Sequence, residues 1–312
     1  MTSGTLTRGR LTEHPVWRRP LASDDLTARL VLPAIVSGAV EDRERVEGSG
    51  GLSRMSITET VREARTAAAA GIAGLLLFGV SDRKDETAVL ASERDHVLTR
   101  AIRAVKDAVP DMAVATDVCV CAYTAHGQCV LFSGGSADIG ATLERLAEIA
   151  RVHAEAGADL LIPSGMLDGT VAAIRGALAA SHSDLPVAAM AKLESALYRA
   201  HRTAVGGVPV SDRAVPLLDP TDRSAAQARV ARDVAHGADA VVVKPGIAAL
   251  DVLATVAATV DRPVISYHTA DEHALFIAET DVDGPAAERE MILASRRAGA
   301  DLVITYGALS GT

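Results

Sequence analysis

The chain has 312 residues, 49% of them hydrophobic and 23% charged, with a net charge of −9 and a pI near 5.5. That is a globular composition, long enough for one large domain or two small ones and able to bury a sizeable core. It excludes the basic surfaces that nucleic acid and anionic membranes select. No apolar run approaches the ~18 residues of a membrane span. The opening MTSGTLTRGRLTEHPVWRRP has no apolar stretch of the secretory kind, so the expected location is the cytoplasm.

Short apolar runs recur along the chain at Val31–Val36, Gly74–Val80, Ala113–Val118, Asp159–Ser164, Pro186–Ala191, Ala240–Pro245, Pro263–His268 and Asp301–Tyr306. Most are continuous rather than alternating, as for parallel strands buried on both faces. Amphipathic helical stretches lie between them, among them Ser56–Ala70, Asp95–Val109, Ile139–Ala156, Ala225–His236 and Pro285–Ala298. Several run into a glycine turn and then a strand: AGIAGLLLFG, AGADLLIPS, HGADAVVVKP, AGADLVITY. Glycine there suits the left-handed end of a helix. Eight such units predict an α/β fold, a (β/α)8 TIM barrel over residues 30–312, with 1–29 as a short N-terminal arm or cap. A doubly wound open sheet is the alternative, but no GxGxxG follows the first strand. The polar, Gly/Pro-containing stretch 199–223 reads as an active-site lid, and 41–52 as a second excursion.

In a barrel the C-terminal strand ends face the active site. Those ends carry Asp117 and Cys119, Ser164, Lys192, Lys244, Tyr267 with His268, and Tyr306. The chain has four lysines, at 84, 106, 192 and 244. Two of these stand at the mouths of apolar strands. Desolvation and a neighbouring cation disfavour an ammonium, and the freed amine can attack a ketone. A structural or anion-binding lysine is the plainer alternative. The three cysteines, Cys119, Cys121 and Cys129, are an odd number in one cluster, which suits a metal better than a disulfide framework. Three thiolates leave zinc an open fourth position, whereas three buried thiols or a redox patch would need no metal. Arg202 and Arg213, in the lid, could clamp a carboxylate or simply be solvated.

These segments resemble the porphobilinogen synthase (5-aminolevulinate dehydratase) family from about Pro20 to Leu309. TDVCVCAYTAHGQC resembles its zinc segment, AKLESALYRAHR its active-site lysine segment, SDRAVPLLDP its lid, and VVVKPGIAALD its Schiff-base segment. IPSGMLDGT and VITYG also match, in the family's order. The resemblance implies a hydro-lyase that condenses two 5-aminolevulinate molecules to porphobilinogen on the way to tetrapyrroles and heme. Lys244 would hold the first substrate and Lys192 the second, with Zn2+ on Cys119, Cys121 and Cys129. The implied substrate-binding set is Asp117, Ser164, Arg202, Arg213, Tyr267 and Tyr306. The family's homo-octameric assembly is implied too.

Departures from the family pattern fall on the pocket lining. Ala270 replaces a carboxylate-binding serine, Leu217 a polar lid residue, Gly165 an aspartate and His201 a phenylalanine. Leu193 replaces an aromatic residue, and AAMAK a serine- and tyrosine-containing run. His236 stands where many bacterial members carry a glutamate for an allosteric magnesium, so no magnesium activation is expected. Two further readings follow from these changes. One is a paralogue using the same chemistry on 5-aminolevulinate or a related amino-ketone in a specialised pathway. The other is a non-catalytic regulatory or assembly paralogue, against which the retained lysines, cysteines and arginines count.

Overall fold

The alternation of apolar runs and amphipathic stretches builds a closed ring of parallel strands wrapped by helices. The computed structural model describes residues 9–278 and 281–310. Its barrel strands are β1 Leu30–Ser37, β2 Gly74–Val80, β3 Ala113–Val118, β4 Leu160–Pro163, β5 Ala188–Lys192, β6 Ala240–Lys244, β7 Val264–Tyr267 and β8 Leu302–Ile304. Apart from half-buried Asp117, every residue in them is buried, which is why the runs are continuous rather than alternating. Neighbours pair in the order β4-β3-β2-β1-β8-β7-β6-β5. The ring closes between β4 and β5, where Leu161 bridges Val187 and its N–H donates to the Pro186 carbonyl at 3.0 Å. The expected (β/α)8 barrel is therefore what forms.

The predicted helices lie at Ile57–Ala69, Val97–Ala108, Ile139–Glu155, Arg223–Ala235 and Gly284–Arg297. Each begins on a capping side chain that accepts a first-turn N–H: Ser56, His96, Asp138, Asp222 and Asp283. Further helices occupy Thr170–Leu178, Leu250–Thr259 and Ala270–Ile277. No helix among the described residues is long and apolar enough to cross a membrane.

The recurring Gly-Ala-Asp turn has a mechanical role. Gly157, Gly237 and Gly299 take φ of +100°, +96° and +107°, a conformation that only glycine adopts freely and that ends each helix. Two residues later, the Asp backbone N–H donates to the preceding strand at 2.7–2.8 Å: Asp159 to Val114, Asp239 to Val187, Asp301 to Val264. The same three carboxylates accept the N–H of those partners in return, at 2.9, 3.0 and 2.9 Å. Each aspartate thus ties one strand's start to its neighbour at the bottom of the barrel.

Residues 9–29 fold beneath this same end and touch all three turns. Arg10 pairs with Asp239 at 3.2 Å, Trp17 Nε1 donates to the Asp159 carbonyl at 3.0 Å, and Arg29 donates to the Asp301 carbonyl at 3.1 Å. Trp17 and Leu11 are fully buried there. The described part of the N-terminal segment is therefore seated on its own barrel as a plug. Trp17→Ala should lower stability by ~3–5 kcal/mol, the cost of removing a buried indole. Urea denaturation followed by circular dichroism measures this, and a loss below about 1 kcal/mol would show that the plug is not part of the folded core.

Candidate active site

Two strand ends set the centre of the site. Lys192 closes β5 and Lys244 closes β6, and the two are direct partners in the parallel register. Register partners on adjacent strands point to the same side, so both amines enter one cavity. Aromatic rings surround them. Lys244 Nζ lies 3.8 Å from the centre of the Tyr267 ring and 5.5 Å from that of Tyr198, and Lys192 Nζ lies 5.2 Å from the Tyr198 ring. Tyr198 is anchored by its hydroxyl, which donates to the Leu193 and Lys244 carbonyls at 2.7 and 3.1 Å.

This surrounding changes the acid–base character of the groups. Burial, and then the neighbouring Lys192 charge, lower the pKa of Lys244 to about 7, against the pull of Asp117. An uncharged, nucleophilic Lys244 amine is therefore accessible near neutral pH. Burial likewise raises Asp117 to about 6, opposed by a hydrogen bond from Ser164 and by both lysine charges. Ser164 also offers its carbonyl to Lys192 Nζ at 3.4 Å.

The three cysteines converge beside the lysines. Their Sγ atoms all lie within 4.8 Å of one another, and Cys119 and Cys121 are 3.4 Å apart. A tetrahedral ion with ~2.3 Å bonds to sulfur needs ligands roughly 3.8 Å apart, so one metal ion fits the cluster. Hydrogen bonds from Cys119 and Cys121 hold the Cys129 thiol well below its ordinary range, helped by the charges of Lys192 and Arg202. The same contacts, with burial, push the Cys119 and Cys121 thiols up. Cys121 and Cys129 line the cavity, so a ligand position left open by three thiolates faces it.

Against the cysteine loop, the 199–223 segment covers the cavity with the helix Arg199–Val205 and the loop beyond it. Arg202 Nη2 is buried with no protein partner, while Arg213 reaches Glu194 at 3.5 Å. Tyr267 Oη is also buried, beside the Tyr306 hydroxyl. A guanidinium nitrogen left unsatisfied in a cavity is a donor suited to an acidic ligand. The cavity is concave and its lining mixes apolar side chains with a few convergent polar groups, as small-molecule sites do.

All the expected site residues except Cys119 and Tyr306 line this one cavity. Cys119 stands behind Cys121. Tyr306 adjoins the lining through His201, whose Nδ1 lies 2.9 Å from the Tyr306 hydroxyl. The His201 ring also packs edge-on against Phe78 at 4.4 Å. Burial, with the charges of Lys244, Lys192 and Arg202 around it, keeps this imidazole neutral.

Two residues outside the expected set organise the site. Tyr198 is the first. The second is Glu272, fully buried, whose carboxylate accepts N–H groups from Gly246, Ile247, Ala248 and Thr269 at 2.6–3.3 Å. It fixes the loop that follows Lys244. A Glu three residues after a Thr reads as a helix cap in sequence, and Thr269 does cap Ala270–Ile277. The Thr269 hydroxyl accepts the Glu272 N–H at 3.1 Å, a role that uses its oxygen lone pair and not its O–H.

A (β/α)8 barrel with register-paired strand-end lysines, three converging thiols and an unpaired Arg202 donor has the parts of a lyase site. The family profile described as Delta-aminolevulinic acid dehydratase matches residues 6–311. Relatives of that name from Escherichia coli and Mycobacterium tuberculosis are 36% and 37% identical, each match covering 96% of this chain and 94% of the relative. The solved structure of delta-aminolevulinic acid dehydratase (porphobilinogen synthase) from Toxoplasma gondii, in complex with the reaction product porphobilinogen, superposes with a TM-score of 0.88. It is 30% identical, over 98% of this chain and 90% of that one. The chain belongs to the delta-aminolevulinic acid dehydratase family.

Because burial is the larger cause and Lys192 the second, Lys192→Gln should raise the pKa of Lys244 only part of the way to its ordinary value. The rate of Lys244 acylation as a function of pH reads this directly. An unchanged midpoint would mean that the two amines do not feel each other.

Proposed function

We propose that the protein condenses two molecules of 5-aminolevulinate to porphobilinogen with loss of two waters. The observation that carries this reading is the register pairing of Lys192 and Lys244 in one cavity, with Lys244 lowered to about 7. An uncharged Lys244 Nζ attacks the ketone of the first substrate, and loss of one water leaves a protein-bound imine. Lys192 holds the second substrate in the same way, within reach of the first because the two strands are adjacent. The carbon next to the imine of the Lys192-bound substrate, as its enamine, adds to the imine carbon on Lys244, and elimination then expels the Lys244 amine. The amine of the first substrate attacks the imine carbon on Lys192 and expels that lysine, and proton loss completes the pyrrole, so both lysines are regenerated. Arg202 and Arg213 clamp one substrate carboxylate, using the donor that Arg202 leaves unpaired. Tyr306 and the Tyr267 hydroxyl beside it serve the other substrate. Asp117, near pKa 6, and Ser164 hold the free amine of a substrate and can take up or return its proton.

Cys119, Cys121 and Cys129 are the ligands we assign to zinc, because soft thiolates select it over magnesium or calcium. Zinc bound there supplies a Lewis acid beside the substrate amine and carbonyl. This reading includes a cytoplasmic enzyme of tetrapyrrole synthesis, and family membership supports a homo-octamer, which light scattering would measure.

One observation favours a second reading, a paralogue acting on a related amino-ketone. Alanine at position 270, where the family pattern has a serine, removes one hydroxyl donor from a carboxylate site. A colorimetric pyrrole assay with 5-aminolevulinate separates the two. Zinc-dependent pyrrole, abolished by chelation and restored by zinc, supports the synthase; no pyrrole in zinc-replete enzyme overturns it. Ala270→Ser should lower the KM for 5-aminolevulinate by about tenfold, the worth of one hydrogen bond to a charged group. A KM that stays the same or rises would indicate that this pocket is not built for that carboxylate.

A further inference from the structure

The cysteine loop and the lid are docked on each other. Gln128, the residue before Cys129, is buried, and its side-chain amide reaches across to the lid. Its Nε2 donates to the Asp212 carbonyl at 2.7 Å and to the Ser211 hydroxyl at 3.2 Å, and its Oε1 accepts the Ala214 N–H at 3.3 Å. These contacts bracket Arg213. The Val210 N–H donates to the His126 carbonyl at 3.2 Å. Contact is backbone to backbone at Gly127, where an added Cβ would stand 2.3 Å from the Val208 carbonyl oxygen. At Gly207 an added Cβ would stand 3.2 Å from Cys121 Sγ. The helix end before the lid loop is held elsewhere, by Arg54 on the Ala204 carbonyl at 2.8 Å and by Lys84 on the Gly206 carbonyl. The loop 207–214 itself rests on the segment 121–128.

We propose that Gln128 is a positioning residue that latches the lid to the metal-ligand loop, so that zinc on the three thiolates and Arg213 at the substrate carboxylate are set as one unit. The physical reasoning is short. A metal fixes Cys121 and Cys129, which flank Gln128 and Gly127. A fixed Gln128 amide presents its donors and acceptor at constant positions to the lid backbone on both sides of Arg213. When the thiol loop is free to move, those hydrogen bonds lose their fixed anchor and the lid opens more often. Metal occupancy then governs substrate binding through the lid, besides whatever it does to the substrate directly.

The test uses the full-length protein with zinc or with a chelator. Trypsin cleavage after Arg213 and hydrogen exchange across 207–214 report lid opening without any substrate. Removing zinc from the wild type should accelerate cleavage at Arg213 about tenfold. Gln128→Ala should show the fast rate with zinc still bound at the wild-type stoichiometry, and should raise the KM for 5-aminolevulinate about tenfold with a smaller change in kcat. Gln128→Glu keeps the shape but turns a donor toward the Asp212 carbonyl into an acceptor, and should open the lid equally if the alanine variant proves unstable. A zinc-loaded Gln128→Ala lid as protected as wild type, or a wild-type lid indifferent to chelation, would overturn the latch. Only the KM arm rests on the condensation reading. The lid arms use no substrate, so failure of that reading and failure of the latch are told apart.

Discussion

The site depends on one constraint: an amine must be kept out of water beside another cation. A lysine in solvent is an ammonium at neutral pH and is not a nucleophile. Here the barrel interior desolvates Lys244, and the register of β5 on β6 sets Lys192 at the same level. Aromatic faces from Tyr198 and Tyr267 complete the enclosure without offering a carboxylate that would restore the charge. Arginine could not serve at either position, because its guanidinium stays charged and is not nucleophilic. The scarcity of lysine in the chain and the placement of two of its four at strand mouths are two aspects of the same chemistry.

That arrangement needs a rigid frame, and the frame is tightened from below. The aspartates of the three Gly-Ala-Asp turns exchange hydrogen bonds with neighbouring strand starts, and residues 9–29 bind all three turns. Above, Glu272 collects four backbone N–H groups and sets the loop after Lys244. A buried carboxylate with that many donors is costly to remove, because four backbone N–H groups would lose their acceptor. Stability at the bottom and top of the barrel therefore fixes the strand ends to the tolerance that two adjacent covalent attachments require.

Much of this was legible in the sequence. Continuous apolar runs gave all eight strands, because parallel strands buried on both faces leave no polar alternation. Helices such as Thr170–Leu178 and Leu250–Thr259 lack a strong polar stripe and announce themselves less. The lysines, cysteines and arginines were found because strand ends and lid position are one-dimensional features. Tyr198, Glu272 and Gln128 were not. Their partners lie up to 86 residues away, and each bonds backbone atoms, which carry no sequence signature. The Ala270 departure was legible, but only the structure shows that the neighbouring Thr269 oxygen accepts a helix-capping N–H.

The central claim is that Lys244 attacks a ketone. Borohydride reduction of the enzyme mixed with 5-aminolevulinate, followed by peptide mass spectrometry, tests it most directly. The account predicts a reduced substrate adduct on the peptide containing Lys244, formed faster as pH rises through about 7 because the reactive amine is the uncharged form. Folded, zinc-replete enzyme that yields no adduct on Lys244 would contradict it.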